Sequence, residues 1–256
     1  MIFTSSVGFP DRNVVDMYNT YMQMCEHGEI VETKNAKYLR WLVDEKLELW
    51  TKFKDDVPQA PFYSYYAGDA RMTVALLEKT PRSKEHFSDG AFLCRSSASA
   101  GAGWLAGRLP FVFDTPDFHR YEDLQLPRLA TVQLTACAFG VQGFADEEEF
   151  DEAFPADEDG YCWDYKHFVP NHMLEPRGED GELQPPGAQI AGFVLDEGII
   201  TNPITGLDFC WAKVDTIGGE VDVVCSPDRL HGYLVKDGLA SISCYLYGRL
   251  IEDKSN

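Results

Sequence analysis

The chain has 256 residues, of which 22 are basic and 42 acidic, for a formal net charge of −20. Apolar residues at 45% and aromatics at 13% suffice for packed cores and exclude a globally disordered chain. A field of this sign repels phosphate backbones, which are bound through counterion release by Lys and Arg, so nucleic acid and anionic membranes are poor partners and a basic protein or a cation is a better one.

The imbalance is concentrated. Residues 146–187 carry 14 acids and 2 bases, whereas residues 62–145 carry 8 of each. The cysteines, Cys25, Cys94, Cys137, Cys162, Cys210, Cys225 and Cys244, include no C-x-x-C pair, and their odd number makes no closed disulfide framework. The N-terminal residues from Met1 to Ser6 hold no basic region before an apolar core, and no apolar run approaches the ~20 residues that span a bilayer. A soluble protein of a reducing compartment, most simply the cytoplasm, is expected.

The first third reads as helical. Pro10 suits a first helical position, and Asp11 and Asp16 lie early in the helix dipole. Val14, Val15, Tyr18, Tyr21, Met22 and Cys25 recur at helical spacing up to a stop at Gly28. Tyr38, Leu39, Trp41, Leu42, Leu49, Trp50 and Phe53, interleaved with charges, predict a second amphipathic helix from about Asn35 to Phe53, antiparallel to the first.

From Pro58 onward the pattern changes to strands. These are expected at Asp69–Leu77, Phe92–Cys94, Leu109–Phe113 and Ala130–Phe139, then at Ala188–Ile200, Leu207–Val214, Val221–Cys225 and Leu239–Leu246. Asn202–Gly206 is a turn cluster, and Ile217-Gly218-Gly219 reads as a tight hairpin.

The two strand-rich regions read as copies of one unit. Ala70–Glu78 matches Ala188–Asp196 in pattern, Trp104 corresponds to Trp211, and Leu129–Val132 corresponds to Leu239–Ile242. Thr115-Pro116-Asp117 and Ser226-Pro227-Asp228 each follow an apolar strand, with a hydroxyl residue placed to cap a helix and proline where no N–H is needed. The offset between matched residues is 118 at Ala70 and Ala188 and 107 at the tryptophans. Each copy runs strand, strand, strand, short helix, strand, an order that resembles an OB-fold. In the second copy only Leu239–Glu252 remains for the last two strands, so one long strand bends at Gly248, or a strand is missing or borrowed.

The chain thus reads as α+β. Residues 1–61 form an N-terminal helical element, 62–145 a first OB-like β-barrel unit, 146–187 an acidic connecting segment and 188–256 a second OB-like unit, the two barrels arising by internal duplication. In the connecting segment Asp146–Glu152 predicts a short helix with Phe150 and Phe154 on one face. Tyr161, Trp163, Tyr165, Phe168, Val169 and Met173 are too aromatic for a free linker and predict contact with a barrel.

Chemical motifs are sparse. Placing Gly160 at the sixth position of a calcium loop puts Pro155 and Lys166 where Asp and Glu are required. His167 and His172 have zinc-like spacing, but Pro170 separates them and no second cysteine pair lies nearby. Gly101–Gly107 matches neither a dinucleotide fingerprint nor a P-loop, and no nucleophile motif occurs, so no catalytic, cofactor-binding or metal residue is assigned.

The expectation is an interaction protein that binds another, basic protein. Its candidate binding residues are Asp146, Glu147, Glu148, Glu149 and Asp151 in the acidic run, with Trp104 and Trp211 on the barrels. Two alternatives stand beside it: an enzyme for a small neutral or cationic molecule in a cleft between the units, and single-stranded nucleic-acid binding through the electrically neutral residues 62–145.

Overall fold

The computed structural model describes residues 4–59, 62–83, 86, 88–96, 109–160, 162–179 and 181–251. Strands dominate, with two α-helices among the described residues, so the α+β class holds. Helix α1 spans Val14–His27, followed by strands β1 (Glu29–Glu32), β2 (Lys37–Leu42), β3 (Leu47–Lys54), β4 (Val57–Pro58) and β5 (Tyr63–Tyr66). Next come β6 (Met72–Pro81), β7 (Gly90–Ser96), β8 (Pro110–Asp114) and β9 (Arg128–Phe144), then helix α2 (Glu147–Ala153) and β10 (His167–Pro170). The chain closes with β11 (Gly187–Thr201), β12 (Asp208–Thr216), β13 (Gly219–Cys225), β14 (Leu230–His231) and β15 (Leu239–Leu250). No helix among the described residues is long and apolar enough to cross a membrane.

The predicted second helix is instead the β2–β3 hairpin, with Tyr38 opposite Lys52 and Trp41 opposite Leu49. Two physical causes override the helical spacing. Aromatic side chains pack well on a pleated surface. In addition, Asp44 Oδ1 accepts from the N–H groups of Lys46 and Leu47, both at 2.7 Å, which fixes a turn in the middle of the stretch. The N-terminal element is therefore one helix and a small sheet, ordered β1-β2-β3-β4 with β5 also on β3.

All the strands expected after Pro58 form, most of them longer than expected. In the larger sheet β6 pairs with β7, β7 with β8, β8 with β15, β15 with β9, and β9 with β6. A second run of ladders leads from β11 through β12, β13, β9 and β15 back to β11. Both circuits therefore use β9 and β15. The lengths of these strands, 17 and 12 residues, permit it: Met72–Leu76 of β6 pair with Val132–Arg128 of β9, while Thr135–Cys137 further along β9 pair with Asp222–Val224 of β13. In the same way Gly187–Phe193 of β11 pair with Tyr245–Leu239 of β15, and Tyr247 beyond them pairs with Asp114 of β8. After Leu239 the chain forms one long strand, β15, rather than two short ones.

A single apolar cluster runs through both circuits, from Met72, Val74, Phe92 and Phe113 to Ile190, Val214, Val223 and Ile242. A second cluster seats Tyr38, Trp41, Leu49, Trp50 and Tyr63 of the small sheet against Cys137, Phe209, Val224 and Tyr247 of the large one. The connecting segment is docked, as its aromatic content predicts. Phe168 lies 4.9 Å from Phe111, and Leu183 joins a cluster with Ala91 and Val112.

Two details differ from expectation. The hydroxyl-Pro-Asp triplets give only short 3-10 turns: Phe118–Tyr121 follows the first, while Pro227–Arg229 includes Pro227 and Asp228 of the second, and Ser226 makes no side-chain cap bond. Trp211 lies in β12, whose counterpart by ladder order is β7, so strand pairing does not support its match to Trp104, which falls outside the described residues.

Candidate functional site

Helix α1 begins at Asn13, whose Oδ1 accepts from the N–H groups of Val15 and Asp16 at 2.9 and 3.0 Å. It buries Thr20 and Met24. At about 100° per residue, Val14, Val15, Tyr18, Met22 and Cys25 fall on the opposite side. Val14 is 80% exposed, Val15 65%, Tyr18 59% and Met22 47%. Apart from Tyr21, which packs partly against the second cluster and donates to the Pro58 carbonyl, the apolar set that marks this helix in the sequence is thus turned outward as an exposed stripe.

Beside the first turn of α1 opens a cleft of about 880 Å³. Asp11, Arg12 and Asp16 line it from the N-terminal segment, Asp208 from the start of β12, and Asp228 and Arg229 from the 3-10 turn after β13. Four carboxylates against two guanidinium groups leave the rim acidic. A hydrogen bond from Ser226, helped by the charges of Arg229 and Arg12, holds the Asp228 carboxyl below the usual range, so it is anionic at neutral pH.

The turn predicted at Asn202–Gly206 holds the walls together. Buried Asn202 donates from Nδ2 to the Val7 carbonyl (2.9 Å) and accepts from the Ile204 N–H (2.9 Å), while Thr205 Oγ1 donates to the Gly8 carbonyl (2.7 Å). Gly8 has φ of +77°, and a Cβ there would stand 2.8 Å from the Leu207 oxygen and 2.9 Å from Asn202 Cβ. Gly8→Ala is therefore expected to cost about 1–3 kcal/mol and to lower Tm in a thermal melt; an unchanged Tm would show that the segment is not pinned here.

The acidic residues expected to bind are largely engaged at home. Asp146 caps α2 by accepting from the Glu149 N–H at 3.0 Å, and Glu149 reaches back to the Ala145 N–H at 2.8 Å, a reciprocal arrangement close to a capping box. Asp151 accepts from the Tyr165 hydroxyl at 2.9 Å. Phe150 is buried against Phe144, Phe154 and Tyr165, as the predicted face requires, and Glu147 and Glu148 remain exposed. Trp211 donates from Nε1 to Asp222 Oδ1 at 3.0 Å, and Asp222 also accepts from Gln133 Nε2 and the Ala70 N–H. Burial raises the pKa of Asp222 against the pull of these three donors. This knot ties the β5–β6 connection to β9, β12 and β13.

One cluster has the residue types of a hydrolase. Arg82, His86 and Ser88 surround buried Asp114, beside a cavity of about 380 Å³ lined by Arg82, His86 and residues 178–179 and 182–185. Ser88 Oγ lies within hydrogen-bond distance of both Asp114 Oδ2 (2.9 Å) and His86 Nδ1 (3.0 Å), and the Ser88 N–H donates to the same His86 Nδ1 at 3.2 Å. Nucleophilic catalysis needs the imidazole between hydroxyl and carboxylate, taking the proton. Here the buried Ser88 hydroxyl meets the carboxylate directly as well as the imidazole, and His86 Nε2 stands 3.9 Å from the same Asp114 oxygen, so the imidazole is not interposed between the two. The cluster anchors the loop before β7. Among the described residues, no group of three or more His, Cys, Asp or Glu is placed to hold a metal ion.

No family model, curated protein or solved structure matches the chain. The site's own geometry must carry the functional reading. Sequence inspection misses the cleft because its carboxylates come from three distant segments, none of them charge-dense.

Proposed function

We propose that the chain is an interaction protein that receives a basic segment of another protein, whose apolar anchors lie on the outward face of α1 and whose cations enter the cleft. The observation that carries this reading is the meeting of the two features at Asp16, which belongs to the first turn of α1 and lines the acidic cleft. The net charge of −20 supports it by steering a basic partner inward, so association weakens as salt is added.

The test is capture of host proteins on the immobilised full chain at low and high salt. Val15→Asp combined with Tyr18→Asp is expected to reduce capture by about tenfold, and Asp208→Asn with Asp228→Asn to reduce it at low salt. Glu147→Lys with Glu148→Lys should leave it intact. Loss of capture in the α2 variant alone would move the binding seat to Asp146–Asp159. A second reading follows from the cleft's volume, which falls in the range of small-molecule sites: a cationic small ligand, for which a polyamine raising Tm is the expected sign.

We further propose that the two strand circuits are OB-like barrels made by internal duplication that have exchanged strands, β9 being the fourth strand of the first and the fifth of the second, and β15 the reverse. The registers support this. Thr73 pairs with Thr131 and Val74 with Ala130, while Ala191 pairs with Ser241 and Gly192 with Ala240, the same pairs once the sequence match between copies is applied. The irregularity between Leu76 and Glu78 recurs between Val194 and Asp196. Single-stranded nucleic acid is disfavoured as a ligand of the second barrel, because the small N-terminal sheet covers the outer face of β12 and β13 at Phe209 and Val224. A soluble protein of a reducing, cytoplasm-like compartment remains the setting we infer.

A further inference from the structure

Cys210 and Cys225 stand directly opposite each other on the antiparallel strands β12 and β13. Opposed residues on such a ladder have Cα atoms ~4.5 or ~5.5 Å apart, and both separations lie within the ~4.4–6.8 Å that a disulfide spans. Both side chains belong to the same core cluster and lie side by side across the ladder. Cys210 keeps 7% of its surface exposed, while Cys225 is fully buried.

We propose that Cys210 and Cys225 form a peroxide-responsive dithiol that closes to a cross-strand disulfide, Cys210 being attacked first and Cys225 resolving. The two thiols differ in the way this order requires. The neighbouring Cys225 thiol brings Cys210 down, to about 7, against burial and the nearby carboxylates of Asp208 and Glu197, which favours its thiolate. The same neighbour, together with burial, raises Cys225. Burial alone pushes Cys94 up, and it is the main cause of the rise at Cys137 and Cys244.

In the first step the Cys210 thiolate attacks one oxygen of hydrogen peroxide. The O–O bond breaks, Cys210 becomes a sulfenic acid, and the leaving hydroxide takes up the proton that Cys210 released. In the second, the Cys225 sulfur attacks the Cys210 sulfur. The S–S bond forms, the S–O bond breaks, and the hydroxyl leaves as water with the Cys225 proton. Two thiols lose two electrons, and one peroxide becomes two waters. Asp208 and Asp228, close in sequence to the pair, line the cleft, so the disulfide staples two of its walls.

The test is peptide mapping after a peroxide series on the full chain, with denaturing alkylation. Lys213 separates the two cysteines, and trypsin leaves each as the sole cysteine of its peptide, residues 178–213 and 214–229. The expected result is coupled loss of both free-thiol peptides and appearance of their cross-linked product, lighter by two hydrogen masses. In Cys225→Ala the product is lost, and Cys210 proceeds to the sulfinic acid. Exposed Cys25 and Cys162 calibrate the dose. Recovery of both Cys210 and Cys225 as alkylated thiols, at a peroxide level that has modified Cys25 and Cys162, would overturn the proposal. The wild-type map decides this even if the variant fails to fold.

Discussion

A chain divided in the connecting segment, between Asp157 and Glu158, is expected to yield two pieces that fold only together. Expressed alone, residues 1–157 lack β15, the strand that pairs with both β8 and β9. Residues 158–256 lack β9, which lies between β13 and β15. The β9–β15 ladder runs over twelve register pairs from Val132 to Phe144, and the main apolar cluster draws on both pieces. Each piece therefore loses a strand pairing and half its core at once, more than the ~5–15 kcal/mol by which domains are stable. Circular dichroism and amide dispersion of the separate pieces should be those of unfolded chains, and co-expression should return a complex that purifies as one species. A sharp, cooperative melt from either piece alone would sink the prediction.

The second large effect is expected at Arg249. Its guanidinium donates to both oxygens of Glu48, at 3.0 and 2.6 Å, and lies over the rings of Trp50 and Tyr65 at 4.9 and 4.3 Å. Glu48 is buried, and also accepts from Arg40 at 2.7 Å and Trp50 Nε1 at 2.6 Å. This is the charged seam between the small sheet and the end of β15. Arg249→Met removes one of the two guanidinium partners of buried Glu48 and a charged neighbour of buried Asp117, so a loss of about 3 kcal/mol, or about 10 °C in Tm, is expected. Glu48→Leu combined with Arg249→Met should recover part of that loss, because Arg40 keeps Glu29 as a partner and Asp117 keeps Arg120. A loss below about 1 kcal/mol in the single variant would show that the seam does not hold the sheets together.

The same pair predicts a pH dependence. Burial opposes ionisation of Glu48, but hydrogen bonds and charge from Arg249 and Arg40 outweigh it and hold the carboxyl below its ordinary 4.5. A depressed carboxylate contributes stability that is present above its unfolded pKa and lost as pH falls through its folded one. Denaturant melts should therefore weaken on the acid side of 4.5, and Glu48→Gln should weaken less over that window.

Much of the strand order after Pro58 is legible in the sequence, because alternation and Gly or Pro turns are local signals. Residues 37–54 are misread because their aromatics satisfy a helical spacing as well as a strand face; the legible correction is Asp44, a turn former set between the two halves. Pairing partners are not legible, since a strand carries no mark of the strand it will meet. The site is hidden for a related reason. Charge density along the chain points to Asp146–Glu149, where two of the carboxylates serve to cap a helix, whereas the cleft collects Asp11, Asp208 and Asp228 one from each distant segment.

The long β9–β15 ladder also sets a timetable for synthesis. When β9 leaves the ribosome its partner does not yet exist: Gln133 must wait for Arg249. At ~5–20 residues per second that interval is roughly ten seconds, during which a long apolar strand has an open edge. Emergence of β15 then completes both strand circuits in one event. A nascent chain stalled or truncated before Leu239 is a natural client for chaperones, and no early half escapes to act on its own.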